Sequence, residues 1–351
     1  MNRFLLAGLL TSISVTAWAQ DTAPDRGAYH VIATMKVGGD GGFDYLYADS
    51  AMRRLYIARS GAPPVGRITV YDLDSLKPTG EIPGTSAHIV AIDPKSDHGF
   101  TSSNPVVMFD AKTLAPIKSI GMQGNPDGMI YDPFNARVYV LSHSAPNATV
   151  IDAANGSVIG TIDLGGAPEE AATDGQGHLY IDIEDRDLVA VVDTKTMTVT
   201  ARHSLGGKGG GPGALAIDVK NHILFVACHD PAVMVMLDAE TGKVLGDLPI
   251  GTGVDEAAFD PGTMEAFSSQ GDGTMTIIKE TSPTSFAVEQ TVKTAVGART
   301  MALDTKTHHA FTVSAEYGPP PPPDPANVTP SGRPRRGPMV PGSFTIIEVG
   351  K

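Results

Sequence analysis

The chain contains very little cysteine and tryptophan. Its one cysteine, Cys228, cannot form an internal disulfide, so the fold has to rest on packing. Cys228 follows the apolar residues 224–227, which predicts a buried and unreactive thiol. The one tryptophan, Trp18, lies near the start of the chain. A binding site built on tryptophan faces, of the kind that holds sugars or quaternary amines, is therefore not expected in the rest of the chain.

Long apolar runs are confined to the first residues. The run from Phe4 to Trp18 ends in the small-residue pattern Ala17-Trp18-Ala19. Such a run is too short for a membrane span and is typical of a secretory signal peptide. We therefore expect a signal peptide at residues 1–19, no membrane span, and a mature protein that is periplasmic or secreted.

Positive charge is scarce as well. The chain has 26 lysines and arginines against 39 aspartates and glutamates, which gives a formal net charge of −13. Nucleic acids and anionic membranes attract basic surfaces, so this balance argues against both as partners. It permits a cationic ligand, a metal ion or a basic protein partner, although solubility alone also accounts for it.

An aspartate and an aromatic residue recur together seven times. The aspartates are spaced 39 to 44 residues apart, and an aromatic residue follows each of them after seven residues, or after six in the fourth case. The aspartates are Asp49, Asp93, Asp132, Asp174, Asp218, Asp260 and Asp304, and the aromatic residues are Tyr56, Phe100, Tyr139, Tyr180, Phe225, Phe267 and Phe311. A period near forty residues with short β-rich runs is typical of a β-propeller, and seven copies predict seven blades.

The third unit shows what each blade contains. Residues 128–162 consist of four β-rich runs separated by turn residues, which predicts an all-β fold of four-stranded antiparallel blades. The last unit has only three such runs, and Tyr29 to Val37 is a spare strand at the start. We expect this N-terminal strand to pair with the C-terminal blade and to close residues 20–351 into one seven-bladed β-propeller domain.

One stretch of the chain resembles the repeat of a known family. Beginning at Ala148, it reads ATVIDAANGSVIGTIDLGGAPEEAATDGQGHLYI, which is similar to the YVTN-type repeat of YncE-like β-propeller proteins. The resemblance extends over nearly the whole of the predicted mature chain and implies a propeller fold. It implies no particular activity, because propellers carry many functions.

Charged residues recur at one position of the repeat, five residues before each aspartate. Around the ring this position holds Asp44, His88, Asp127, Glu169, Gly213, Asp255 and Arg299, and two of these are followed by Glu170 and Glu256. The position opens the innermost strand, so the fold should bring its side chains together at the mouth of the central channel. We interpret the six ionisable residues as a binding site for a polar ligand or a divalent metal ion. The alternative is a solvated rim that only keeps the channel wet.

The hairpin loops on the same face carry further candidates. His143, Glu184 and His229 fall on three consecutive blades, and histidine and carboxylate are suitable ligands for zinc, iron or copper. They come from separate loops without a short-spaced ligand motif, so histidines at ordinary hairpin tips are the alternative interpretation. Arg59, in the first blade, is a further residue that the repeat places on this face.

The last blade carries one large insertion, from about residue 317 to residue 342. It contains five consecutive prolines at 319–323, and Arg333, Arg335 and Arg336 near its end. The proline run favours an extended polyproline II conformation. The arginines can pair with the acidic mouth and cap it. The segment can equally be a docking arm for a partner, or a tolerated loop.

Three classes of function fit these features. The first is binding without catalysis, in which a monomeric exported propeller engages a small-molecule ligand, a cation or a protein partner at its acidic mouth. The second is a metal-assisted hydrolase, lactonase or lyase, in which Asp127, Glu169 or Asp255 helps to hold a cation. His88 then acts as general acid or base. The third is redox or metal handling through His88, His143 and His229. The chain has no recognisable nucleophile motif, which favours binding.

Overall fold

The computed structural model describes residues 27–62, 65–145, 147–320 and 337–351. These residues form seven four-stranded antiparallel sheets, and the one helical element among them is a short 3₁₀ helix, Glu184–Arg186. The predicted all-β, seven-bladed fold is therefore confirmed. The predicted signal peptide at residues 1–19 lies outside the described residues.

The strands of each blade follow one another outward from the channel, and the blades follow one another around the ring in chain order. The innermost strands are β2 (Leu46–Asp49), β6 (Val90–Asp93), β10 (Pro126–Asp132), β14 (Pro168–Thr173), β18 (Pro212–Asp218), β22 (Val254–Asp260) and β26 (Met301–Asp304). The second strands are β3 (Arg54–Arg59), β7 (His98–Thr101), β11 (Arg137–Ser142), β15 (His178–Ile183), β19 (Ile223–Cys228), β23 (Glu265–Gln270) and β27 (His309–Ser314). The third strands are β4 (Arg67–Asp72), β8 (Val106–Asp110), β12 (Ala148–Asp152), β16 (Leu188–Asp193), β20 (Val233–Asp238), β24 (Thr274–Ser282) and β28 (Thr345–Gly350). The outer strands are β5 (Pro78–Pro83), β9 (Pro116–Ile120), β13 (Val158–Ile162), β17 (Thr198–Ser204), β21 (Val244–Pro249), β25 (Ser285–Lys293) and β1 (His30–Lys36).

The repeated aspartate and the repeated aromatic residue have separate structural roles. Each aspartate lies at or next to the end of an innermost strand, where its side chain accepts backbone N–H groups of the following turn, as Asp49 does from Ala51 and Met52. Each aromatic residue lies on a second strand and is buried in a cluster that spans neighbouring blades, as Phe100 and Tyr180 are. The repeated aspartate and the repeated aromatic residue therefore both serve the architecture of the blade.

The ring closes through its N-terminal strand, as predicted. Strand β1 pairs antiparallel with β28 and completes the seventh blade. The preceding residue, Tyr29, donates its hydroxyl to Oε2 of Glu265 at 2.6 Å, and its ring meets Phe267 edge to face at 5.3 Å. Nζ of Lys351 lies 3.0 Å from Oε1 of the same Glu265. Both ends of the domain are thus anchored on the sixth blade.

Arg59 is fully buried, although its place in the repeat suggested an exposed position at the mouth. Its guanidinium donates to the backbone carbonyls of residues 38–42 over 3.1 to 3.3 Å and lies 3.7 Å from the centre of the Phe344 ring. Burial lowers the pKa of Arg59 to about 10. Arg59 therefore holds the connection between the closing strand and the first blade, and it is not available to a ligand.

Replacing Arg59 by methionine should destabilise the protein by about 3 kcal/mol, because several carbonyls lose a charged donor at once. The matched control is Arg67→Met. The side chain of Arg67 also donates a hydrogen bond to the backbone carbonyl of Asp40, but it is partly exposed. We expect this control to cost less than about 1 kcal/mol. Urea unfolding of both variants measures the difference, and equal losses would contradict the role given to Arg59.

The insertion of the last blade begins and ends in a short antiparallel stem. Tyr317 pairs with Met339, and the N–H of Gly318 donates to the carbonyl of Pro338 at 2.8 Å. Met339 also packs against the hydrophobic cluster between the first and last blades. The ends of the predicted insertion are therefore part of the folded domain. Arg333, Arg335, Arg336 and the last three of the five prolines lie outside the described residues.

Candidate functional site

The side chains that the sequence placed at the mouth form a continuous chain of contacts. Nε of Arg299 lies 3.1 Å from Oδ2 of Asp255, and its Nη2 lies 3.7 Å from Oδ1 of Asp44. Nδ1 of His88 lies 2.6 Å from Oδ2 of Asp44 and 3.3 Å from Oδ1 of Asp127. The start of the innermost strand therefore brings charged residues from different blades into direct contact.

His143 extends this chain from a hairpin loop to Glu169. Its Nε2 lies 2.8 Å from Oε2 of Glu169 and 3.7 Å from Oδ2 of Asp127. The other oxygen of Glu169 accepts a hydrogen bond from the hydroxyl of Tyr45 at 3.0 Å. All six predicted ring residues thus belong to one connected group. Tyr45 was not predicted, because the position after the ring residue holds a different type of side chain in most blades.

The predicted trio of His143, Glu184 and His229 does not assemble as one group of ligands. His229 lies over Gly213, the ring position without a side chain, where an added Cβ would come within 2.6 Å of Nε2 of His229. Glu184 begins the short 3₁₀ helix after β15. Within the described ranges, neither Glu184 nor His229 belongs to a close set of ligand atoms. His143 instead joins the ring, because its loop leans inward over Glu169.

Two close sets of potential metal ligands lie in the mouth. One consists of Asp44, His88 and Asp127, and the other consists of Asp127, His143 and Glu169; the ligand atoms of each set lie within 4.8 Å of one another. Asp127 belongs to both sets, since Oδ1 faces His88 and Oδ2 faces His143. Imidazole nitrogens together with carboxylate oxygens suit zinc and other first-row divalent ions. The arrangement can hold one such ion, or two that share Asp127.

Burial and close pairing shift the protonation of the mouth. Burial raises the pKa of Asp127 to about 6 and the pKa of Asp255 to about 8. Hydrogen bonds to neighbouring carboxylates raise the pKa of His88 and raise that of His143 to about 9. The mouth therefore holds protons near neutral pH when it has no cation. A divalent ion has to displace those protons to bind.

Further carboxyl groups lie just inside the mouth. Glu170 and Glu256 follow two ring residues and line the channel, and burial raises the pKa of Glu170 to about 7 and that of Glu256 well above its ordinary value. Oε2 of Glu170 accepts the N–H of Leu215 at 2.9 Å. Behind them the fully buried Asp182 accepts the N–H of Glu170 at 2.6 Å, and burial raises the pKa of Asp182. Sequence reasoning missed Asp182, because it lies on a second strand amid apolar residues.

The metal-free protein should lose stability as the pH rises from about 4 to about 9. Asp127, Asp255 and His143 all have pKa values above those of the unfolded chain, so the folded state keeps protons that the unfolded state releases. The proton that each of these groups retains stabilises the folded state at low pH. This stabilisation is lost as the pH passes the folded pKa, near 6, 8 and 9 respectively. Urea midpoints across this range, recorded with a chelator, measure the trend. Asp255→Asn should make the urea midpoint depend less on pH. A wild-type midpoint that rises with pH would contradict the prediction.

No protein-family model matches the sequence, and no curated protein matches it. Solved structures do match. A chain of the mitotic checkpoint complex aligns with a TM-score of 0.69 and 14% identity over 89% of this chain and 96% of that chain. The WD40 repeats of RRP9 align with a TM-score of 0.70 and 10% identity over 92% and 97%. A chain of hydrazine synthase from Kuenenia stuttgartiensis aligns with a TM-score of 0.66 and 15% identity over 77% and 92%.

The protein is a seven-bladed β-propeller. At identities of 10% to 15%, these likenesses show the fold alone, and a fold by itself does not determine a function. In the part of the chain that the structure describes, no helix has the length and apolar character needed to cross a membrane. The function therefore has to be argued from the residues of the mouth.

Proposed function

We propose that this propeller binds a divalent metal ion at its mouth. The observation that carries the proposal is the pair of ligand sets that share Asp127, built from equivalent positions of several blades and one hairpin loop. Asp127 and Glu169 lie on innermost strands, and Asp44 and His88 lie two residues before one, so the fold places these ligands before an ion arrives. The net charge of −13 adds an attractive field for a cation.

The place of the ion within the mouth follows from Arg299. Its guanidinium lies against Asp255 and Asp44 and balances the negative charge on that side. Because a fixed cation repels a metal ion, we expect the ion to prefer the ligand set that is farther from Arg299. This set consists of Asp127, His143 and Glu169. The hydroxyl of Tyr45 orients the carboxylate of Glu169 there, as outer hydrogen bonds commonly do for metal ligands.

Titration with cobalt(II), whose visible absorption reports its coordination, tests this function. We expect saturable binding by the intact mature protein, competition by zinc, and loss of the spectrum in a His143→Ala, Glu169→Gln variant. The matched control is His30→Ala, an exposed histidine on the closing strand. A wild-type protein that gives no cobalt spectrum, or a variant that keeps it, would overturn the proposal.

Metal-assisted hydrolysis is the second candidate, and the position of His88 favours it. His88 lies beside Asp127 but outside the favoured ligand set, so it can serve as a general acid or base next to a bound ion. A panel of esters, lactones and phosphodiesters, assayed with the zinc-loaded protein, tests this function. We expect His88→Gln to lower turnover without lowering the metal content. Absence of turnover on every substrate leaves binding as the function.

We also propose that the protein is exported and is related to the YncE-like propellers. The signal-peptide pattern of residues 1–19 supports export, and the YVTN-like stretch from Ala148 supports the relationship. N-terminal sequencing of the protein from periplasmic and culture fractions tests export. The exported chain should begin at Gln20, and a chain that keeps Met1 in the cytoplasmic fraction would contradict it.

A further inference from the structure

A cavity of about 420 Å³ lies on the face of the ring opposite the mouth, between the fourth and fifth blades. It is bounded mainly by the turn after β14 and the outer strand β17 of the fourth blade, and by two turns of the fifth blade. Its volume lies within the range of small-molecule sites. The described lining residues include no lysine or arginine, and the main polar ones are His178, His203, His222, Asp174, Glu240 and Tyr180.

This cavity lies where a contact between neighbouring blades is missing. In the first three blades, the residue two positions before the repeated aromatic donates a hydrogen bond to a turn carbonyl of the next blade: Arg54 to Ala111, His98 to Ala153 and Arg137 to Thr194. In the fourth blade this position holds His178, whose Nδ1 lies 2.8 Å from Oδ2 of Asp174 in its own turn. The equivalent carbonyl of the fifth blade, that of Ala239, accepts a hydrogen bond from Nε2 of His203 at 3.0 Å instead. No side chain of the turn therefore bridges these two blades.

The hydroxyl of Tyr180 has no hydrogen-bond partner among the described residues, although Tyr180 is only 3% exposed and lines this cavity. In the third blade, the hydroxyl of the equivalent Tyr139 donates to the carbonyl oxygen of Thr194 at 3.4 Å. Burial, together with the charges of Asp174 and Glu240, raises the pKa of Tyr180 to about 12, so its hydroxyl stays protonated. Native proteins seldom leave a buried hydroxyl unbonded without a ligand or an ordered water.

The other polar groups of the cavity mainly accept hydrogen bonds. Although burial opposes it, hydrogen bonds from backbone N–H groups and from His178 lower the pKa of Asp174, so this carboxylate is ionised. It accepts Nδ1–H of His178, and Nε2 of the neutral ring keeps an unshared lone pair. Nδ1 of His222 likewise lies 3.6 Å from Oε1 of Glu240, which leaves its Nε2 without a partner among the described residues. A ligand that fits this lining has to supply several donors and a positive charge.

We propose that this cavity binds a small planar cation with several N–H donors, such as an alkylguanidinium. Its N–H groups donate to Nε2 of His178, to Nε2 of His222 and to the carboxylate of Glu240. The hydroxyl oxygen of Tyr180 accepts a further N–H, and the alkyl group lies against Ala201 and its apolar neighbours. A guanidinium suits this lining because it presents its donors in one plane, is weakly hydrated and stacks on aromatic rings.

This site is separate from the proposed metal site, because none of these residues belongs to the two ligand sets of the mouth. The proposal therefore stands or falls independently of metal binding. The head group of the ligand is the variable that tests it. An ammonium keeps the charge but not the planar set of donors, and a urea keeps a planar set of donors but not the charge.

Calorimetric titration of the intact protein with butylguanidinium, butylammonium and butylurea makes the test, with a chelator present so that the mouth has no metal. We expect saturable binding of butylguanidinium at a single site, and binding of the other two compounds at least about tenfold weaker. Equal affinity for butylguanidinium and either of the other compounds, or no binding of butylguanidinium at millimolar concentration, would overturn the proposal. This comparison needs no variant.

Two variants then locate the site. Tyr180→Phe combined with Glu240→Gln removes one acceptor and one charge from the lining, and Ala201→Leu reduces the open volume. Both should weaken butylguanidinium binding at least about tenfold. The matched control is Tyr139→Phe, the same change at the same repeat position of the neighbouring blade, and it should bind as the wild type does. Retained binding in both cavity variants, or a loss in Asp127→Asn alone, would place the cation elsewhere and contradict the proposal.

Discussion

A chain that begins after Val37 is expected to lose most of the stability of the whole ring. The deletion removes β1 and Tyr29, so the third strand of the last blade becomes an exposed edge and Glu265 loses its hydroxyl partner. Loss of one buried aromatic side chain alone costs about 3 to 5 kcal/mol, and domains of this kind have only about 5 to 15 kcal/mol in total. We therefore expect the free energy of unfolding to fall by at least about 5 kcal/mol.

The loss should involve all seven blades together. The deletion unties the start of the chain from the last blade, and each blade is stabilised by contacts with its neighbours, so the loss should spread around the ring. Scanning calorimetry should show the main transition moving down as a unit, without a small separate transition for the last blade. Ile32→Thr, an exposed change on the same strand, is the matched control and should melt close to the wild type. A truncated protein that melts within a few degrees of the intact one would contradict closure by the N-terminal strand.

Asp127→Asn should have the largest effect on metal binding. Asp127 belongs to both ligand sets, and the amide keeps its shape while removing the charge that a divalent ion requires. We expect zinc affinity to fall at least about 100-fold, or about 2.7 kcal/mol. Folding should be unaffected, because burial already raises the pKa of Asp127 to about 6 and disfavours its charged form.

The control for this variant is a double change in ordinary turns. Asp110 and Asp152 cap hairpin turns on the other face of the ring, where asparagine can accept the same backbone N–H groups. Asp110→Asn with Asp152→Asn removes two charges without changing the mouth. Zinc calorimetry on both proteins should show a loss only in Asp127→Asn. Equal affinities, or a loss in the turn variant alone, would place the ion elsewhere.

The parts of the structure that were predictable are those fixed by short-range geometry. An aspartate that caps a turn and an aromatic residue seven positions later describe one hairpin, so their sevenfold recurrence predicts seven blades. The same register fixes where each innermost strand begins. This is why residues such as Asp44, Asp127 and Asp255, far apart in sequence, could be placed together at the mouth.

The parts that were not predictable depend on contacts between distant segments. Arg59 is buried because the loop of residues 38–42, which follows the closing strand, folds over it, and the repeat contains no sign of that loop. His143 joins the ring and Glu184 stays outside it because their hairpin loops follow different paths. Tyr45 and Asp182 act as neighbours of ring residues without sharing a repeated position with them.

Anomalous diffraction from crystals grown with zinc is the most direct test of the central claim, that the mouth is a metal site. We expect a strong anomalous peak at the mouth, about 2.0 to 2.1 Å from Nε2 of His143 and a similar distance from carboxylate oxygens of Glu169 and Asp127. A second peak across Asp127, near His88, would indicate the two-ion form. Crystals with zinc bound only at other places, or with no anomalous peak at the mouth at saturating zinc, would contradict it.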